Sequence, residues 1–89
     1  MHLREVAITN ELGLHAKASA AFVRTANEFK CNITVVFGDK KANGKSIMGL
    51  LMLAASKNSQ IQIVAQGADE KKALDSLVQL VANKFGEQE

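Results

Sequence analysis

Gln60-Ile61-Gln62-Ile63-Val64-Ala65-Gln66-Gly67-Ala68-Asp69-Glu70 changes its period part-way along, and that change decides the fold. Ile61, Ile63 and Ala65 alternate with Gln60, Gln62 and Gln66, which is the two-residue period of a strand with one apolar face. Past Gly67 the period lengthens, and Leu74, Leu77, Val78, Val81 and Phe85 line up as one stripe of a helix. Asp69 is its expected N-cap and Gly86 its expected C-terminal stop. A strand that hides one face and a helix that hides one stripe satisfy each other as two layers.

The upstream segments repeat this logic. Ile33, Val35 and Phe37 alternate with Asn32, Thr34 and Val36 in another strand, and Gly38-Asp39 forms a two-residue type II′ hairpin turn in which glycine supplies the positive φ. Residues 40–43 follow as a short strand whose lysines suit an edge. Residues 3–9 are expected as the first strand, with Val6 and Ile8 on one face and Glu5 and Thr9 on the other. Residues 16–29 are expected as a helix with Ala18, Ala21, Phe22, Ala26 and Phe29 inward, opposite Lys17, Ala20, Arg24 and Asn27. Ser46 caps a short helix over residues 47–55, its hydroxyl accepting an otherwise unpaired backbone N–H. The order is βαββαβα, an α+β arrangement with helices on one side of an open sheet and no linker or internal repeat.

With 89 residues, 47% of them hydrophobic, the chain suits one domain spanning residues 1–89. Its core is aliphatic, since there are four Phe and no Trp or Tyr. A net charge of +2, spread along the chain, leaves no polybasic footprint for nucleic acid or a membrane surface, and aromatic side chains for base stacking are scarce. Cys31 is alone, which excludes a disulfide framework; with His2 and His15 at no recurring spacing, no metal site is expected. Cys31 reads as a small apolar residue at a strand start and His2 as incidental. The first residues lack the apolar run of a signal peptide and no stretch is long enough to span a membrane, so a cytoplasmic location is expected.

Chemistry concentrates in Leu12-Gly13-Leu14-His15-Ala16-Lys17-Ala18-Ser19. Taken singly, His15 reads as an ordinary capping residue, Gly13 as a turn residue and Ser19 as an exposed first-turn residue. Taken together they place an imidazole, nucleophilic when neutral, beside helix-mouth amides that have no intrahelical partner and attract anions. The amides near Ala16 and Lys17 and the Lys17 ammonium are then positioned to hold a phosphoryl group. Asn43-Gly44-Lys45-Ser46 invites a nucleotide-binding reading, but Gly38 precedes Gly44 by one residue too many for that motif and the chain is too short for the sheet it needs.

Gly13-Leu14-His15-Ala16 before a small-residue helix, Lys45-Ser46-Ile47-Met48-Gly49 further on, and Gly67-Ala68-Asp69-Glu70 before the last helix resemble the histidine-containing phosphocarrier (HPr) family of the bacterial phosphoenolpyruvate-dependent sugar phosphotransferase system. The resemblance covers essentially the whole chain. It implies an open-faced β-sandwich with four antiparallel strands in the order 1-4-2-3 under three helices. It implies His15 as phosphoacceptor on Nδ1, charged by enzyme I and discharged to a IIA domain of a sugar or nitrogen branch. The Lys17 side chain and the backbone of Ala16, Lys17 and Ala18 would hold the phosphoryl group. Such a protein is a covalent carrier, not a complete enzyme; it needs no cofactor and is expected as a monomer that enters no membrane. Ser46 matches the serine that an HPr kinase/phosphorylase modifies in part of the family. Ile47, Met48, Leu51 and Met52 form the expected partner face, with Arg24 and Lys45 as its charged rim.

Two residues depart from the family pattern, which has Arg then Pro after His-Ala where this chain has Lys17 then Ala18. A guanidinium forks onto phosphate through two parallel hydrogen bonds, whereas an ammonium is a flexible point charge. Ala18 lacks the preset φ of proline but regains an N–H. Altered transfer rate or partner choice is expected. These departures also leave open an HPr-like regulatory binding protein, read by a transcription factor or an enzyme, with little sugar flux.

Overall fold

The computed structural model describes residues 1–86. Four strands, β1 (His2–Ala7), β2 (Asn32–Phe37), β3 (Lys40–Asn43) and β4 (Gln60–Gln66), form one antiparallel sheet in the order β1-β4-β2-β3. Three helices, α1 (Ala16–Ala26), α2 (Ile47–Leu53) and α3 (Glu70–Ala82), pack on it: α3 against β1 and β4, α2 against β3, and α1 against both other helices. This is the architecture that the resemblance implies.

The alternation in β2 and β4 sorts the side chains as expected. Ile33, Val35, Ile61, Ile63 and Ala65 are buried beneath the helices. Their neighbours Thr34, Val36, Gln62 and Val64 lie on the uncovered face, half-buried by one another. The helices close the core with Phe22, Leu50, Leu53, Leu74, Leu77 and Val81, all within 2% of full burial. Each such side chain contributes about 1.5–3 kcal/mol relative to exposure. At Gly38 φ is +63° and Asp39 stays at negative φ, as a type II′ turn requires.

The element ends differ from the sequence expectations for local reasons. β1 stops at Ala7 rather than residue 9, because Ile8 exchanges hydrogen bonds with the turn at Asn58 and Ser59 (2.7 and 2.9 Å) instead of β4. α1 stops at Ala26 rather than residue 29, where Glu28 and Phe29 bond three residues back, to Thr25 and Ala26, in a tightened last turn. α2 stops at Leu53, and Ala54 enters the left-handed region at φ +55°. Phe85 is not on α3, which ends at Ala82; it is buried from a following 3-10 turn, Lys84–Gly86, with its own φ at +57°. Gly86, at φ +82°, closes that turn rather than α3.

Asp69 sits at the N-cap of α3 but makes no capping bond from its side chain. Its carboxylate instead accepts from the backbone N–H groups of Lys30 and Cys31 (2.9 and 3.0 Å), tying the end of the α1 connection to the start of α3. Those amides hold its pKa below the ordinary carboxylate value. Glu70 takes over the reciprocal role and accepts from Gly67 N–H at 3.0 Å. His2 is likewise not incidental: its Nδ1 and the Met1 α-ammonium both reach the Glu70 carboxylate.

Candidate functional site

The loop from Ile8 to Leu14 delivers His15 to the mouth of α1, and the segment after α2 holds that loop. Leu14 N–H donates to the Ala55 carbonyl at 2.9 Å. Asn10, buried, donates its Nδ2 to the Gly13 carbonyl at 2.9 Å, and Lys57 pairs with Glu11 at 2.8 Å. The lysine holds the Glu11 carboxyl below its ordinary pKa, first through the hydrogen bond and then through its charge. Gly13 permits the close approach: at φ +64°, a Cβ here would fall 2.5 Å from the Ala55 carbonyl oxygen and 2.7 Å from the Ser56 Cα.

His15 is the N-cap of α1, with extended backbone (φ −80°, ψ −177°), and its Nδ1 accepts from Lys17 N–H at 3.3 Å. An Nδ1 that accepts carries a lone pair, which puts the ring proton on Nε2. The side chain is half-buried, and Ser19 N–H closes the first turn onto the His15 carbonyl at 2.8 Å. No acidic residue stands in the first turn of α1, so the positive end of the helix dipole has no carboxylate of its own there. The α3 terminus contrasts with it, having Glu70 in that place. Chemically, the α1 mouth presents an imidazole nitrogen with a neighbouring amide donor, and Lys17, which supplies that amide, is exposed.

A family model described as the PTS HPr component phosphorylation site matches residues 3–83. The chain belongs to the HPr family. It is 48% identical over 86 residues to Phosphocarrier protein HPr of Neisseria meningitidis, covering 97% of each protein. It is 44% identical over 84 residues to Phosphocarrier protein NPr of Shewanella violacea, covering 94% of this chain and 92% of that one. The crystal structure of HPr-C-His from Thermoanaerobacter tengcongensis matches with a TM-score of 0.96 at 42% identity over the whole of both chains.

The other residues singled out in this HPr-family chain divide between the site and its surroundings. Ala16 and Lys17 are exposed at the helix mouth, while Ala18 is buried beneath it. Ser19 is fully buried, not exposed, because its hydroxyl donates to the Leu14 carbonyl at 3.3 Å and so helps fix the residue before His15. Lys17 and Arg24 lie one heptad apart on the outward face of α1, with Arg24 exposed in its last turn.

Ser46 caps α2, its Oγ accepting from Gly49 N–H at 3.0 Å. Ile47, Met48 and Met52 are exposed at 41%, 66% and 71%, Leu51 is half-buried, and Leu50 and Leu53 fill the core. Lys45 is half-buried and donates its Nζ to the Phe29 carbonyl at 2.7 Å, so its head is tethered to the connection after α1.

Leu12, to which the sequence motif assigns no role, is 66% exposed in the His15 loop. An apolar residue between Glu11 and Gly13, in a turn with no strand or helix to bury it, was the available signal. Cys31 is buried, and burial, followed by Asp69, pushes its thiol pKa up, which keeps it neutral. Among the described residues no helix is long and apolar enough to cross a membrane.

Proposed function

We propose that the chain carries a phosphoryl group on His15 Nδ1, taking it from phosphoenolpyruvate-charged enzyme I and giving it to IIA domains. The observation that carries this reading is the Nδ1 lone pair turned toward the Lys17 amide at a helix mouth without an acidic first-turn residue. In the transfer, the Nδ1 lone pair forms a bond to phosphorus as the bond from phosphorus to the donor's leaving atom breaks; Nε2 keeps its proton. The Lys17 N–H then exchanges a long contact with a ring nitrogen for a charge-assisted one with a phosphoryl oxygen. Lys17 adds a positive charge, and the backbone of Ala16 and Ala18 completes the cradle. Reversal of the same step discharges the group, so the chain completes no turnover alone. The transfer belongs in the cytoplasm, and the protein acts as a monomer.

The partner face on this reading is the exposed apolar side of α2, Ile47, Met48 and Met52 with Leu51 at its border, extended by Leu12 on the His15 side. Met adapts its shape to more than one partner. Arg24 and Lys17 supply cations facing acidic partners. Lys45 contributes charge from a tethered position. Ser46 is a regulatory phosphorylation site for an HPr kinase/phosphorylase: a phosphoserine there adds about two negative charges beside this face, which the α2 dipole tolerates and an acidic partner resists.

Incubation with phosphoenolpyruvate and enzyme I tests the reading. One acid-labile phosphoryl group is expected by mass, absent from His15→Ala and transferable to a IIA domain. No labelling by any cognate enzyme I, or labelling retained in His15→Ala, overturns it.

A further inference from the structure

Among the described residues two polar side chains are fully buried, Asn10 and Ser19, and both aim their donors at the chain directly before His15. Burying an amide or a hydroxyl costs free energy unless it is hydrogen-bonded, and a buried backbone carbonyl has the same need. Asn10 gives an Nδ2 hydrogen to the Gly13 carbonyl at 2.9 Å, and Ser19 gives its hydroxyl hydrogen to the Leu14 carbonyl at 3.3 Å. Neither side chain has a part in the transfer described above.

These bonds fix three peptide planes in succession. The Gly13–Leu14 peptide is held on both sides, its carbonyl by Asn10 and its N–H by the Ala55 carbonyl at 2.9 Å. The Leu14–His15 peptide is held through its carbonyl by the Ser19 hydroxyl, and the His15–Ala16 peptide through its carbonyl by the Ser19 N–H at 2.8 Å. Ser19 therefore grips both planes that flank His15, and two flanking planes define the φ and ψ of the residue between them. With φ −80° and ψ −177° set in this way, the Cα–Cβ bond of His15 has one direction. Rotation about its side-chain bonds is what the imidazole keeps, and the Lys17 N–H at 3.3 Å biases that rotation toward an Nδ1 facing the amide. Ser19 also restrains a first turn in which Ala18 supplies no preset φ of its own.

We propose, on the reading of His15 as phosphoacceptor, that Asn10 and Ser19 are positioning residues for the transfer: they aim His15 Nδ1 without touching the phosphoryl group. A nucleophile already held in one direction has less freedom to lose in the transition state, so the gain falls on the rate constant of transfer. The α2 face that meets partners on that reading includes neither residue, so docking affinity is untouched.

The test measures single-turnover transfer from phosphorylated enzyme I over a range of carrier concentrations, for the parent, Asn10→Ala, Ser19→Ala and Ile33→Val. Ile33→Val is the control for lost stability: it is a buried truncation opposite Ala65, at the end of β4 away from the turn that meets Ile8. Expected for Asn10→Ala and Ser19→Ala is a limiting rate lower by about tenfold at an unchanged half-saturating concentration, with the parent's limiting rate for Ile33→Val. A second readout needs no enzyme. The ¹⁵N shifts of the neutral His15 ring, which register its tautomer, should draw closer together in both alanine variants as Nδ1 loses its fixed donor. Parent-like limiting rates, a loss expressed in half-saturation, an equal loss in Ile33→Val, or unmoved ring nitrogens overturn the proposal. A parent that takes no label strikes the carrier reading itself, and the ring nitrogens then still decide whether the two side chains aim His15. Ser19→Ala removes one oxygen and favours the helix, so it carries the test if Asn10→Ala does not fold.

Discussion

At the level of single residues the proposed transfer sets Lys17 and Ala18 against the family pattern. Lys17 is exposed, and on the proposed reading it offers the phosphoryl group one mobile charge, while its backbone N–H contacts Nδ1 at 3.3 Å. Replacing the pair by Lys17→Arg/Ala18→Pro should raise the rate of transfer from enzyme I by a few-fold, because a fork of two hydrogen bonds orients the transferring phosphoryl group better than a point charge. A stopped-flow or quench measurement no faster than the parent would show that these residues are no handicap. Ser46→Asp places one negative charge at the α2 cap and should slow the same step roughly tenfold at low ionic strength, the difference shrinking as salt is added. An unchanged rate at low salt removes repulsion as the regulatory mechanism.

At the level of elements, the site rests on contacts between the His15 loop and the segment leaving α2. Gly13→Ala forces an alanine to φ +64° and drives its Cβ into the Ala55–Ser56 backbone, and should destabilise the fold by about 2 kcal/mol or more. Thermal melting checks this, and a shift within error of the parent would mean that the loop relaxes freely. The elements themselves were legible in the sequence wherever a period was repeated. Ile33-Val35 and Ile61-Ile63-Ala65 alternate, and Leu74-Leu77-Val81 recurs at helical spacing. Ser46 was readable as a cap because its partner, Gly49 N–H, is three residues away. Asp69 was not, because its partners at Lys30 and Cys31 are 39 and 38 residues away and only the tertiary fold brings them near. The same holds for Ser19, whose burial depends on a carbonyl in the preceding loop, and for His2, whose partner Glu70 is 68 residues distant. The position of His15 at a helix mouth was readable because its capping partner, Lys17 N–H, is two residues away, while the exposure of Leu12 depends on what the folded loop leaves uncovered.

For the molecule as a whole, Glu70 is the junction that joins the first strand to the last helix. The Met1 ammonium, the Gly67 N–H and then His2 pull its pKa from an ordinary 4.5 to about 2. A carboxyl group depressed in this way binds fewer protons folded than unfolded. Its contribution is therefore fully present above about pH 4.5 and is lost as the pH falls towards about 2. Glu70→Gln should flatten the acid limb of stability in that window, measured by denaturant midpoints against pH. An acid limb as steep as the parent's would place the titrating groups elsewhere, Asp69 being the next candidate.

The strand order has a further consequence for how the chain is made. β1 pairs only with β4, with His2 opposite Ala65, and β2 also takes β4 as its inner neighbour. During synthesis β1 thus has no partner until residues 60–66 have emerged, and the four-stranded sheet cannot be assembled before then. Loop closure over that separation makes pairing slow relative to helix formation. Nascent chains arrested before β4 should remain protease-sensitive throughout, and protection should appear in one step once that strand clears the exit tunnel.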